Sequence, residues 1–358
     1  MSNPNSSLSF TKLVEPGSSV TQATPSAPFD AAMAYLLGQC CSLTYQQFNE
    51  VISESTFATS LDLKGDLAGY AISASNLQPF TASEANQPGA SSNDADYFTV
   101  PAGFAVQLTL TVTGKPTQNM VVIALRGSRT WDEWINDAEA FPTPFAGEAF
   151  HLTGDGLGSV HAGFYDRYTV GTDGQRIVGK QALSSDFTQR APGSLAYQVG
   201  KYVHSLEGIL PVYVTGHSLG GALATLAALD IAYRFPKTFS KLCMYSLASP
   251  RVAVGIDHVP SLDNQDRLLE YYQRLVPNTY QIVHAVDVVP ILPPASFNIG
   301  PLLVSCAHVT DAYSTNSSNL SGNVISFCAQ TGDLAGNHSC AGVYVPYLKQ
   351  LASNFQTA

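Results

Sequence analysis

Through its second half the chain alternates solid apolar runs with helix-forming stretches, and that alternation sets the expected architecture. FAVQLTLTV (104–112) alternates between apolar and polar from Val106 onward, as a strand with one buried face does, whereas MVVIALRG (120–127) is a solid apolar run up to Arg126. Gly114-Lys115-Pro116 marks the turn between them. Downstream, helical spacing over 194–210 gives way to the strand-like PVYVTG (211–216) and then to the long helix former SLGGALATLAALDIAYRF (218–235). Two further apolar strands follow in KLCMYSLASP (241–250) and TYQIVHAVDVVPILPP (279–294). Strands alternating with helices predict βαβ units, and therefore an α/β fold with a mainly parallel central sheet and helices on both faces. Upstream, 29–53 has helical periodicity, LAGYAISASN (67–76) reads as a strand and 86–96 as a surface loop. Residues 1–28, rich in Ser, Pro and Thr, read as a disordered or loosely attached segment, which leaves 29–358 as one domain.

Only 12% of residues are charged and the formal net charge is −10, so no basic track exists to neutralise nucleic-acid phosphates. The longest apolar stretches are interrupted by Asp230, Arg234, His284 and Asp287, which excludes a transmembrane helix there. The N-terminus has neither the basic start nor the apolar core of a secretory signal. The expectation is an extracellular protein in mature or trimmed form, with a cytosolic protein as the alternative. None of the six cysteines sits in a CxxC pair, so neither zinc nor thioredoxin-type chemistry is expected. Two of Cys306, Cys328 and Cys340 are as compatible with a bridge as with free thiols.

The chemistry starts where PVYVTG breaks. Gly216-His217-Ser218-Leu219-Gly220 fits G-x-S-x-G with a strand before it and a helix after it, the context in which this motif lifts a serine above a sheet edge. The turn is so tight that only glycine fits two positions either side of Ser218. The helix N-terminus beneath favours negative charge, and the Leu219 N–H points where an oxyanion would form. A plain N-cap would not need this glycine spacing, so Ser218 reads as a nucleophile.

A serine hydroxyl needs a base, and the base needs a carboxylate to orient it. In hydrolases with this elbow the chain order is Ser, acid, His. Asp287 ends an apolar strand and is followed by a proline-stiffened loop, which makes it the expected acid; Asp311 and Asp333 are weaker candidates in polar loops. Of the downstream histidines, His338 lies in a Gly/Asn loop before a terminal helix and is preferred to His308, which follows a strand-like run and has a core reading. Ser128 ends the strand expected beside the elbow, after a glycine, where its hydroxyl and N–H are placed to stabilise an oxyanion.

In order along the chain, VVIALRGSRTWDEWINDAEAF (121–141), VHAGFYDRY (160–168), VTGHSLGGALA (214–224), SLASPRVA (246–253), HAVDVVPILP (284–293) and NHSCAGVYVPYL (337–348) resemble the class 3, fungal-type lipases. The resemblance implies an α/β-hydrolase fold with a helical lid, a Ser218–Asp287–His338 triad, and an oxyanion hole from Ser128 and Leu219. The chain departs from the family where it has Ala248 and Ala253 in place of glycines.

Both tryptophans of the chain, Trp131 and Trp134, lie just after Ser128, and on a helix they share a face with Ile135. Exposing both rings costs about 8–12 kcal/mol at the usual apolar coefficient, so residues 129–140 are expected to form a lid that opens at an oil–water interface. The expected activity is hydrolysis of triacylglycerol esters without metal or organic cofactor. An esterase, a phospholipase A1 or a feruloyl esterase with the same triad, and a catalytically silent binding protein of this fold, are the alternatives.

Overall fold

The computed structural model describes residues 28–47, 50–61, 67, 69–85, 97–128, 142–145, 157–172, 174–177, 179–256, 265–299, 302–309, 324–328 and 333–356. In chain order these form α1 (Ala31–Gln46), α2 (Glu54–Ser60), β1 (Tyr70–Ala85), β2 (Tyr97–Val112), β3 (Gln118–Leu125), β4 (Pro142–Pro144), β5 (Ser159–His161) and α3 (Ala162–Thr169). They continue with α4 (Leu195–His204), β6 (Leu210–His217), α5 (Leu219–Arg234), β7 (Phe239–Leu247), β8 (Ala253–Ile256), α6 (Gln265–Leu275) and β9 (Thr279–His284). The last are β10 (Ser296–Ile299), β11 (Leu302–Ala307), β12 (Val324–Phe327), α7 (Leu334–Asn337) and α8 (Val345–Gln356).

Seven strands form the main sheet in the order β1-β2-β3-β6-β7-β9-β12. The pairs from β3 to β12 are all parallel, while β1, β2 and β3 form an antiparallel flank. The solid apolar run of β3 has a direct cause. Val121, Ile123 and Leu125 pack into a core with α3, α4 and α5, while Met120, Val122 and Ala124 pack into a second core with α1 and α8. A strand buried on both faces has no polar side to show. A second, five-stranded sheet, β10-β11-β8-β5-β4, is antiparallel throughout and was not expected from the sequence pattern.

The helix behind the elbow, α5, is almost wholly buried, and it carries a charge into that environment. Asp230 is fully buried, and Arg190 meets it with two contacts, Nη1–Oδ2 at 2.7 Å and Nη2–Oδ1 at 3.0 Å. The Tyr168 hydroxyl donates to the same carboxylate at 2.8 Å. Arg190 spends its other donors on the backbone oxygens of Ser184 and Ala196, at 2.8 and 2.6 Å, which ties that loop to α5. The six cysteines are all unbridged; Cys328 is exposed and the other five are buried. Among the described residues no helix is long and apolar enough to cross a membrane, and no cluster of side chains is arranged to hold a metal ion.

Candidate active site

Strand β6 runs into His217, and Ser218 then takes φ 60° and ψ −132°, a conformation that L-residues avoid and that costs about 1–3 kcal/mol. The flanking glycines make this turn possible. A Cβ on Gly216 would lie 2.0 Å from the Gly220 oxygen, and one on Gly220 would lie 2.2 Å from the Leu125 oxygen. The Ser218 N–H donates to the Leu247 oxygen at 2.9 Å, which holds the elbow against β7. Ser128 sits half-buried at the end of β3, whose Leu125 pairs with Gly216 of β6. A Cβ on the intervening Gly127 would stand 2.5 Å from the His217 oxygen and 3.0 Å from Ser218 Cβ. The Ser128 loop and the elbow are therefore in main-chain contact, with α5 opening at Leu219 beside them.

Asp287 lies beyond the C-terminal end of β9, buried, and all its hydrogen bonds point into one network. Its Oδ1 accepts the Val289 N–H at 3.0 Å; its Oδ2 accepts the Tyr344 hydroxyl at 2.7 Å and meets His338 Nδ1 at 2.7 Å. Burial and then the Asp287 charge push the Tyr344 phenol well above its ordinary range, so it stays a donor. The same hydroxyl accepts the His284 N–H at 3.1 Å, which fixes the end of β9 relative to the carboxylate. Arg251 braces the loop after Asp287 by donating from Nη1 to the Ile291 and Pro293 oxygens.

His338 follows α7 on the chain returning from β12, the parallel neighbour of β9. Ser218, Asp287 and His338 thus all come after the C-terminal ends of parallel strands, at one edge of one sheet. The His217 ring packs against His338, with centroids 4.6 Å apart. Ser218 is 5% exposed and the His338 side chain 13%.

The competing histidine is placed otherwise. His308 is buried with Nδ1 at 2.9 Å from Gln281 Nε2 and Nε2 at 2.7 Å from the Pro290 oxygen, and burial lowers its pKa to about 4. A neutral ring that accepts from the amide and donates to the carbonyl satisfies both nitrogens, so His308 props the underside of the acid loop. Asp333 is an exposed cap of α7, accepting from the Gly336 N–H. Asp311, and the expected lid at 129–140 with Trp131, Trp134 and Ile135, lie outside the described residues. Tyr344 escaped the sequence reading, because a contact across 57 positions leaves no local pattern.

The family model described as lipase (class 3) matches residues 122–297, from within β3 to within β10. The match covers just under half of the chain. That stretch contains Ser128, Ser218, Leu219 and Asp287 and stops short of His338, whose place beside Asp287 rests on geometry. The parallel sheet with a strand–elbow–helix serine is the α/β-hydrolase arrangement. Among curated relatives, a phospholipase A1-II 3 of Oryza sativa subsp. japonica is 28% identical over 202 residues, 52% of this chain and 41% of that protein. A lipase of Caenorhabditis elegans, ZK262.3, is 39% identical over 82 residues, 23% of this chain and 20% of that protein. The matched stretches cover less than half the length of these relatives. Among solved structures, the lipase from Rhizopus microsporus var. chinensis is 17% identical, with 82% of this chain and 89% of that one covered and a TM-score of 0.40. At Ala248, where class 3 lipases commonly have glycine, the backbone φ is +52°, so the departure falls where glycine would be relaxed.

Proposed function

We propose that this chain is a carboxylic ester hydrolase acting on acyl lipids, with triacylglycerol as the preferred substrate. The observation that carries the reading is the 2.7 Å contact of His338 Nδ1 with a buried Asp287, at the sheet edge where Ser218 occupies a strained elbow. In this mechanism Asp287 fixes the His338 tautomer with the proton on Nδ1, which makes Nε2 the nitrogen that takes the Ser218 proton. Ser218 Oγ attacks the ester carbonyl, and the oxyanion is held by the Leu219 N–H and by Ser128. His338 then protonates the leaving alkoxide, and water activated by the same imidazole releases the acid. No step calls for a metal or an organic cofactor.

With Ser218 only 5% exposed, substrate entry requires an opening step before attack. The lid proposed for 129–140 supplies one, and both tryptophans of the chain lie within it, so intrinsic fluorescence reports on it without interference. The low charge and the excess of acid suit a neutral lipid surface better than an anionic one. A phospholipase A1 is the second reading, supported by the names of the rice relative and of Phospholipase A1-Igamma1 from Arabidopsis thaliana, 35% identical over 112 residues.

The test is the hydrolysis rate of a short-chain triglyceride followed through its solubility limit, with Ser218→Ala as blank and phosphatidylcholine vesicles in parallel. A jump in rate as droplets form, with a change in tryptophan fluorescence, is expected. Faster fatty-acid release from phosphatidylcholine would favour the phospholipase. Smooth saturation below the limit, with fluorescence unchanged, would make the protein an esterase with no moving lid.

A further inference from the structure

A second hydrogen-bonded chain lies behind the elbow and is not part of the triad. Tyr45, near the end of α1, places its hydroxyl 2.9 Å from His217 Nδ1. The same oxygen would lie 2.4 Å from a Cβ on Gly127, so the two are in close contact. One hydroxyl therefore touches three segments: the end of α1, the loop that carries Ser128, and the residue before Ser218.

The protonation states fix the direction of these bonds. Burial pushes the Tyr45 phenol well above its ordinary range, so it keeps its proton. Burial, and then the neighbouring His338, hold His217 well below the ordinary histidine range, so its ring is neutral. The His217 ring meets the His338 backbone with its other nitrogen, so the tautomer with the proton on Nε2 fits both sides, and Tyr45 is then the donor to Nδ1. Nε2 is buried and faces the backbone of His338. The His217 and His338 rings are tilted by 38° with centroids 4.6 Å apart. His217 is thus pinned at one edge by Tyr45 and abuts the base with the other.

We propose that Tyr45 and His217 form a positioning brace, which sets the spacing between the Ser128 loop and elbow on one side and the loop bearing His338 on the other. Neither residue touches substrate. This rests on Ser218 acting as the nucleophile. The brace has a physical reason to exist: Asp287 controls the orientation of His338 from the far side, but orientation alone does not set how far the imidazole stands from Ser218. The two ring contacts supply that second coordinate. Losing it misplaces the base by a fraction of an ångström to an ångström, which lowers turnover by roughly 10- to 100-fold.

The experiment uses Tyr45→Phe, His217→Leu and the double variant, each checked for folding by thermal melt, with kcat and KM measured on a soluble aryl butyrate. Ser218 reactivity is measured as the rate of fluorophosphonate labelling. The brace predicts that Tyr45→Phe lowers kcat and labelling rate by about 10-fold or more with KM within about twofold. It also predicts that the double variant is no slower than His217→Leu alone, because each substitution breaks the same support. His217→Asn, which offers Tyr45 a partner at the Nδ1 position, should recover part of the labelling rate and so separates the contact from bulk packing. Wild-type kcat in Tyr45→Phe, with Ser218→Ala inactive, would overturn the brace alone, as would multiplicative losses in the double variant. Full activity in Ser218→Ala would overturn the hydrolase reading and the brace with it.

Discussion

Substituting Gly127 by alanine tests how closely the Ser128 loop is fitted to the elbow. The added methyl would lie 2.4 Å from the Tyr45 hydroxyl, 2.5 Å from the His217 main-chain oxygen and 3.0 Å from Ser218 Cβ, where ordinary contact begins near 3.4 Å. The Tyr45 side chain can give way, but the His217 oxygen cannot: His217 pairs with Leu247 in the parallel ladder, and β6 is flanked on both sides. The end of β3 must therefore retreat by about 1 Å. Overpacking of this kind costs about 1–3 kcal/mol of stability. A 1 Å error in a reacting group costs about 100-fold in rate, and the error falls on Ser128 and Ser218 together. The expected result is a folded protein whose kcat/KM on a soluble ester is lower by about two orders of magnitude. Gly200→Ala is the control, since its methyl meets Phe187 Cβ at 3.0 Å and Arg190 at 3.2 Å, away from the sheet edge, and should lower the melting temperature without changing kcat/KM. A Gly127→Ala enzyme within about threefold of wild type would refute the reasoning.

Other expectations follow from buried groups. Asp230→Ala strands a fully buried Arg190 guanidinium and should destabilise by about 3–5 kcal/mol in chemical denaturation, while replacing both partners by apolar residues costs much less. Burial lowers the pKa values of His161 and His308 to about 4 in the fold, from an ordinary 6.5. As pH falls, the unfolded chain protonates first, so their contribution is complete above pH 6.5 and is lost towards pH 4, roughly 3 kcal/mol for each; urea midpoints measured from pH 7 to pH 4 should fall accordingly, and less steeply in His308→Gln. On a soluble ester, His338→Ala should be nearly as inactive as Ser218→Ala, whereas His308→Gln should keep activity within about tenfold. Equal losses in the two histidine variants would contradict the assignment of the base.

What the sequence disclosed was whatever physics makes local. The spacing of Gly216 and Gly220 around Ser218 is dictated by main-chain contacts of 2.0 and 2.2 Å, so it was legible before any coordinates. The strand β3 announced itself because both of its faces are buried. The small antiparallel sheet did not, since three-residue strands such as Pro142–Pro144 and Ser159–His161 carry no periodicity. The two tyrosines were invisible for another reason: their partners lie 57 positions away for Tyr344 and 172 for Tyr45, and only the fold brings them together. His308 and His338 differ in surroundings more than in flanking sequence, and it is Gln281 and the Pro290 oxygen that mark His308 as a core residue.

The central claim is that Ser218 is a nucleophile activated by His338. Its most direct measurement is labelling of the native protein with a fluorophosphonate, followed by mass spectrometry of the digest. The account predicts one stoichiometric adduct, on the peptide containing Ser218, formed rapidly in the wild type and lost or slowed by several orders of magnitude in His338→Ala. An adduct on another serine, or labelling of Ser218 at an unchanged rate without His338, would contradict it.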